Sequence, residues 1–316
     1  MRYLIIGLGQ DALLSALKLF EEGSQFKIIV RRSQSVSNKL KVFTKLTNHI
    51  QYIDNIDAAE LLKIYNDFPF DEILNFAANS YVQDSKDNFA TFIESNSGIV
   101  WEILKFLHIY PNVSFFHPLS SELYDKGSVD SFFPRNSYGL SKLVDYHSCR
   151  LAAEYQELKI TNCVLFNHES YFRPEHFFTK KIIKALLEPK IIDLKVYNAK
   201  SQRDWGYAPE FIEMILDRDR AKGFNLYQLG TGELMSVENF IDEVLKVVKL
   251  DFSKKEKNGL IEWRSSCLNI TEEVRSIKDQ NRIVSANKKL VKASFGKLPK
   301  IHTKRLVSKL IKDHIK

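Results

Sequence analysis

The stretch Tyr3-Leu4-Ile5-Ile6-Gly7-Leu8-Gly9-Gln10-Asp11-Ala12 decides the fold. Tyr3 to Ile6 is an unbroken apolar run, the form a short strand takes when a parallel sheet buries both its faces. Gly7 and Gly9 follow at once. Glycine lets a backbone approach a pyrophosphate, and the helix that opens behind it favours negative charge at its N-terminus. Ala12 takes the third position of the fingerprint. Leu13 to Phe20 carry apolar residues at helical spacing, and Lys27-Ile28-Ile29-Val30 reads as a second buried strand. Strand, glycine turn, helix and strand make the opening βαβ of a dinucleotide-binding fold. On these residues alone, a tight turn without a ligand remains the alternative.

The alternation continues outward. Gln51 to Ile53 is a strand and Ala58 to Tyr65 a helix. Glu72 to Phe76 is a strand, and a long helix runs from Phe89 to Phe106. Val113 to Phe116 is a strand. Ser137 to Glu157 is a long helix capped by Asn136 or Ser137, with Pro134 just upstream, and Asn162 to Asn167 is another strand. Strands alternating with helices predict an α/β, Rossmann-type, doubly wound parallel sheet. After residue 168 prolines, aromatics and basic residues interleave and the alternation becomes irregular. We expect a dinucleotide-binding domain over 1–167, completed by strand and helix returns from later segments, and a smaller lobe over 168–316.

Composition bounds the function classes. The chain has 316 residues, 44% hydrophobic and 27% charged, as in an ordinary globular protein rather than a disordered one. No apolar run approaches the ~20 residues of a membrane span. The first apolar burst is too short for a signal peptide, so cytoplasmic residence is the expectation. Cys149, Cys163 and Cys267 are far apart and odd in number, which suggests small buried hydrophobes and no metal site or disulfide framework. The net charge of +7 suits an enzyme of polyphosphate ligands, a nucleic-acid binder or a lysine-rich surface, and does not choose among them.

Arg31 and Arg32 end the second strand, where an acidic residue would hold the ribose 2′-hydroxyl of NAD. Arginines there accommodate the 2′-phosphate of NADP, unless they are an exposed basic pair. Asp54 follows the third strand, where a carboxylate can receive an adenine amino group. Tyr138-Gly139-Leu140-Ser141-Lys142 puts Tyr138 and Lys142 on one helix face. A phenol with a pKa of about 10 is a poor base at neutral pH. A neighbouring ammonium and a positive nicotinamide ring favour its phenolate, and Lys142 can also hold the nicotinamide ribose. Pro118-Leu119-Ser120-Ser121-Glu122-Leu123-Tyr124 follows the fifth strand, at the sheet edge where such folds bind ligands. Ser120 can donate to the oxygen that Tyr138 deprotonates, and Glu122 is a candidate general acid/base. A Ser/Glu capping turn is the competing reading of that loop.

Several segments, in order, carry a family resemblance. They are Gly9-Gln10-Asp11, Ile29-Val30-Arg31-Arg32-Ser33, Asp71 to Val82 with Ala77 and Ala78, and Ser121-Glu122-Leu123-Tyr124. Tyr138 with Lys142, Asn167-His168-Glu169-Ser170, Thr179-Lys180-Lys181-Ile182 and Arg203-Asp204-Trp205-Gly206 follow. On these the chain resembles the extended short-chain dehydrogenase/reductases, and among them the GDP-mannose 4,6-dehydratase family. The resemblance covers residues 3 to 245. It departs in a glycine turn one residue shorter, in Ser120 where the family usually has Thr, and in Tyr171-Phe172-Arg173-Pro174 where the family has an arginine-rich run. The C-terminal third carries only hints of it.

The resemblance implies bound NADP and a nucleotide-sugar substrate, with GDP favoured as the nucleotide. Gly7, Gly9, Gln10, Asp11, Arg31, Arg32, Asp54, Ala77, Ala78, Tyr138 and Lys142 would hold the cofactor. Ser120, Glu122, Tyr138 and Lys142 would act on the sugar. Tyr138 would take the 4-hydroxyl proton while C4 passes hydride to NADP+. Glu122 would take the C5 proton and help expel the C6 hydroxyl as water, and hydride would return to C6. Lys181 and Arg203 would meet the diphosphate, with Asn167 and Glu169 near the sugar. A homodimer or homotetramer is implied, with no nucleic-acid or membrane partner. Two other readings stay open: a C4 oxidoreductase or epimerase, which needs no carboxylate aimed at C5, and a non-catalytic NADP-binding scaffold.

Overall fold

The structure is a computed structural model and describes residues 1–32, 44–80, 89–125, 131–187, 191–273 and 283–315. The chain divides into two units. The first comprises Met1–Tyr124, Ser131–Leu165 and Ile212–Leu229. The second comprises Asp125–Asp130, Phe166–Phe211 and Gly230–Lys316.

In the first unit, β1 (Arg2–Ile6), α1 (Gln10–Glu21), β2 (Gln25–Arg31), β3 (Ile50–Ile53), α2 (Ala58–Asp67), β4 (Glu72–Asn75), α3 (Phe89–Ile109), β5 (Ser114–Ser120), α4 (Ser137–Gln156) and β6 (Ile160–Leu165) follow the expected alternation. The second unit begins with β7 (Asn167–Glu169), α5 (Phe178–Leu187), β8 (Ile192–Tyr197) and β9 (Gln202–Tyr207). Helix α6 (Ala208–Leu216) leads back to the first unit's β10 (Phe224–Leu229). The second unit resumes with β11 (Leu234–Ser236), α7 (Val237–Val247), β12 (Phe252–Lys257), β13 (Leu260–Ser265), β14 (Leu268–Glu273), α8 (Lys288–Phe295) and α9 (Thr303–Ile315).

The first unit's sheet has seven strands in the order β10-β6-β5-β4-β1-β2-β3, and every pairing is parallel. This is the doubly wound, Rossmann-type sheet that the sequence predicts. Chain order reverses between β1 and β4, the switch point at whose carboxyl edge such sheets bind ligands. Apolar side chains bury both faces. Leu4, Ile6, Ile29, Ile73, Phe106, Phe115 and Ile160 pack in one core. Burying each is worth about 1.5–3 kcal/mol.

Two strand boundaries differ from expectation. Strand β5 runs on to Ser120 rather than stopping at Phe116. Its pairing with β4 ends at Phe116, and from His117 to Ser120 it pairs with β6 alone. Pro118 therefore lies where one side of the strand carries no ladder, and proline is tolerated at such an edge. The strand read over Asn162 to Asn167 is two strands: β6 ends at Leu165, and Asn167 begins β7 in another sheet.

In the second unit β9 pairs β7 in parallel and β11 antiparallel, and β12, β13, β14 and β8 form a further sheet. Trp205, Phe240, Trp263 and Leu306 lie in its core. Asp204 is buried and holds the turn after β10. It accepts the backbone N–H of Thr231 (2.9 Å), Gly232 (2.8 Å) and Ala286 (2.9 Å), and the Thr231 hydroxyl (2.5 Å). Among the described residues no helix is long and apolar enough to cross a membrane, and no cluster of three or more His, Cys, Asp or Glu residues could hold a metal ion.

Candidate active site

Gly7 ends β1 with φ +105°, a conformation that costs only glycine nothing. A Cβ there would lie 3.0 Å from the Ala77 nitrogen, so glycine lets this turn press against the backbone leaving β4. Gly9 is the N-cap of α1 and supplies no side-chain cap, and a Cβ on it would meet nothing within 4 Å. A helix N-terminus behind two close glycines is a donor set that fits a diphosphate. Gln10 is buried in the first turn, and its amide donates to Asp11 at 3.2 Å. Arg31 and Arg32 are exposed at the end of β2. The Arg32 guanidinium is 4.0 Å from the exposed Asp54 carboxylate, a pair too solvated to immobilise either partner.

The loop after β4 is pinned from both sides. Asn75 Oδ1 accepts the Ala77 N–H at 3.2 Å. Asn96 of α3 accepts the Asn79 N–H at 2.8 Å and donates to the Asn79 carbonyl at 3.2 Å. Ala77 is half-buried and Ala78 exposed. Asn96 also donates to Ser141 Oγ at 3.2 Å, which ties this loop to α4 between Tyr138 and Lys142.

The start of α4 lies against the end of β5. A Cβ on Gly139 would come within 2.6 Å of the Glu122 carbonyl oxygen, so no larger residue lets the two backbones meet. Asn136 settles the capping question. Its Oδ1 accepts the Gly139 N–H at 2.7 Å, and its Nδ2 donates to the Glu122 carboxylate at 2.8 Å. One side chain therefore caps the helix that carries Tyr138 and orients Glu122. Ser120 Oγ accepts the Glu122 N–H at 3.2 Å, so the capping-turn reading of this loop also holds. Tyr138 is half-buried, edge-on to Phe92 with ring centroids 6.4 Å apart. Ser120, Glu122, Tyr138 and Lys142 are all in the first unit, on the β5 end and the first turns of α4.

Lys142 is only 2% exposed. Its Nζ lies 3.2 Å from His117 Nε2 and 3.5 Å from Asp145 Oδ2. Burial pulls its pKa down, against the pull of Asp145. Burial likewise lowers that of His117, helped by the Lys142 charge. Burial pushes Asp145 up, but Lys142 and His117 outweigh it and hold the carboxyl below its usual range. Neither His117 nor Asp145 stands in a motif, although Asp145, one turn after Lys142, is readable as a same-face partner.

The substrate candidates lie in the second unit. Asn167 opens β7 and pairs in register with Trp205. Glu169 is buried, accepts the Thr179 hydroxyl at 2.6 Å and pairs with Arg173 Nε at 3.3 Å. Lys181 is exposed on α5, and half-buried Arg203 on β9 donates to the Gln202 carbonyl at 2.9 Å. In the Arg-Asp-Trp-Gly segment, Asp204 and Trp205 serve packing, and a Cβ on Gly206 would enter the Phe211 ring.

A family model described as GDP-mannose 4,6 dehydratase matches residues 4–310. The chain belongs to this family. It is accordingly a lyase-type enzyme. It is 31% identical over 265 residues to the GDP-mannose 4,6 dehydratase of Cricetulus griseus, covering 76% of this chain and 70% of that one. To the GDP-mannose 4,6-dehydratase of Sinorhizobium fredii it is 30% identical over 256 residues, covering 74% and 72%. Among solved structures, dTDP-glucose 4,6-dehydratase from Bacillus anthracis in complex with NAD superposes with a TM-score of 0.79 at 15% identity, over 100% of this chain and 96% of that one. The UDP-glucose 4-epimerase of Thermotoga maritima with UDP-glucose gives 0.78 at 16% identity, over 100% and 99%. At these identities the structures show the fold.

Proposed function

We propose that the chain is a nucleotide-sugar 4,6-dehydratase that takes a GDP-sugar and works with bound NADP. The observation that carries this reading is the Asn136 bridge, which orients a carboxylate, Glu122, beside the helix start that bears Tyr138. Oxidation or epimerisation at C4 calls for Tyr138 and Lys142 alone, whereas elimination across C5 and C6 needs a further acid/base. Gly7, Gly9 and the α1 N-terminus would hold the cofactor diphosphate, with Gln10, Asp11, Ala77 and Ala78 around it. Arg31 and Arg32 would meet the 2′-phosphate, Asp54 the adenine and Lys142 the ribose. When bound, NADP supplies reversible two-electron oxidation and reduction of the sugar.

Tyr138 removes the proton of the sugar 4-hydroxyl. The Lys142 ammonium, one turn away, favours the phenolate. Ser120 hydrogen-bonds the same sugar oxygen. The ketone so formed acidifies C5, and Glu122 takes that proton and returns it to the departing C6 hydroxyl, which leaves as water. Lys181 and Arg203 would neutralise the substrate diphosphate, and Asn167 and Glu169 would face the sugar. Substrate and cofactor are multiply charged and do not cross bilayers, which places the enzyme in the cytoplasm with them. Incubating purified protein with a panel of GDP-sugars and reading product masses tests the reading. A product lighter by one water supports it. An isomer of unchanged mass moves the epimerase reading ahead.

A further inference from the structure

Behind Lys142 lies a buried polar chain that the dehydratase chemistry does not use. Asn75 ends β4, His117 lies in β5, and Asp145 follows Lys142 by one turn of α4. Asn75 is 0% exposed, His117 1% and Asp145 0%. The hydrogen bonds fix the direction of the chain. Asn75 Oδ1 is used by the Ala77 N–H, so its Nδ2 faces His117 Nδ1, at 3.2 Å. An amide nitrogen only donates, so Nδ1 must be the acceptor and bear no proton. The ring proton then sits on Nε2, which donates to Asp145 Oδ2 at 2.9 Å. A protonated Nε2 has no lone pair for Lys142. The ammonium is therefore balanced by Asp145 Oδ2, the oxygen that His117 also donates to. Asp145 Oδ1 is buried with no hydrogen-bond partner among the described residues. Among the described residues the other faces of the cluster bring no counter-charge. Asn162 of β6 donates to the His117 carbonyl at 3.3 Å, and Ser97 of α3 donates to the Ser141 carbonyl at 3.3 Å. Cys149 of α4 is the further titratable group, its thiol held neutral by burial.

We propose that Asp145, oriented by His117 and Asn75, is a positioning residue for Lys142. It keeps the ammonium charged in a dry site and so sets the upper pH limit for dinucleotide binding. A buried ammonium without a partner gives up its proton rather than stay charged. The same chain reaches Ala77, so it joins two of the segments assigned to the cofactor: the loop after β4 and the helical lysine. The proposal rests on the dinucleotide reading of the site only for its binding consequence, because the charge of Lys142 can be read without any cofactor.

The test is the titration of Lys142 in the full chain by side-chain NMR, in wild type and in Asp145→Asn. The nearly isosteric amide removes the charge and keeps the volume. The expected result is a Lys142 midpoint lower by a pH unit or more, which is roughly a ten-fold change in the proton affinity. NADP+ titrations of the same two proteins across neutral to alkaline pH should show the variant losing affinity at lower pH than wild type. An unchanged midpoint overturns the proposal. If wild type binds neither NADP+ nor NAD+, the cofactor reading fails and the Lys142 midpoint still decides. Should Asp145→Asn not fold, the wild-type His117 ring decides. A neutral imidazole protonated on Nε2 supports the chain of bonds, and a proton on Nδ1 or titration at the ordinary histidine pKa overturns it.

Discussion

Glu122 and Tyr138 carry separate halves of the proposed chemistry, and single substitutions separate them. Glu122→Gln keeps the acceptor for Asn136 and loses the base. We expect reduced cofactor to form on mixing with substrate while release of dehydrated product falls by roughly 10²–10⁴-fold, the usual worth of a positioned proton transfer. Solvent deuterium uptake at C5 should fall in parallel. Dehydration at the wild-type rate would reduce Glu122 to a turn residue. Tyr138→Phe should instead stop both steps and leave cofactor affinity near wild type, because the phenol acts on a proton and not on the packing. Arg31 and Arg32 set a different test. Both are exposed, and the one ion pair that Arg32 makes among the described residues, to Asp54, is long, so a phosphate can reach them. Replacing both with alanine should cost NADP+ affinity and spare NAD+ affinity. Equal loss of both would remove the arginines from cofactor choice.

At the scale of elements, the site depends on how closely two backbones meet. Helix α4 approaches the end of β5 because position 139 is glycine, and Asn136 joins the two. Asn136→Ala removes the cap and should cost about 0.5–2 kcal/mol of stability. Asn136→Ser restores a good cap but cannot donate an amide hydrogen to Glu122. We expect it to unfold close to wild type and yet dehydrate more slowly, as read by thermal melts alongside product formation. If the serine variant keeps full activity, the orientation of Glu122 does not depend on the amide.

At the scale of the whole molecule, the outer faces of α3 and α4 carry exposed apolar side chains among charged ones. Trp101 is 42% exposed, Leu151 39% and Tyr155 82%, and Trp101 Nε1 bonds Ser148 Oγ across the two helices at 3.2 Å. The homodimer or homotetramer that the family resemblance implies is expected to pair through this helix pair. Leu151→Asp with Tyr155→Asp should then sediment as a monomer with its far-ultraviolet circular dichroism unchanged. An assembly of wild-type size in this variant would move the interface elsewhere.

The sequence by itself determined the sheet and set Tyr138 and Lys142 on one helix face. Short apolar runs, glycines at Gly7 and Gly9, and a helical Tyr138/Lys142 spacing are local signals, because period and turn chemistry act over a few residues. The Ser-Glu segment was legible too, although whether it was a cap or a site was not. Tertiary structure decided what depends on partners distant in the chain. Asn136 pairs with Glu122 across 14 residues, and His117 meets Asp145 across 28 and Asn75 across 42. It also ran β5 through Pro118, because β4 ends early and leaves that side of the strand without a ladder. It set Asp204 and Trp205 to packing and left Arg203 half-buried. No periodicity records such contacts, since they arise only when strands and helices from separate parts of the chain exclude water together.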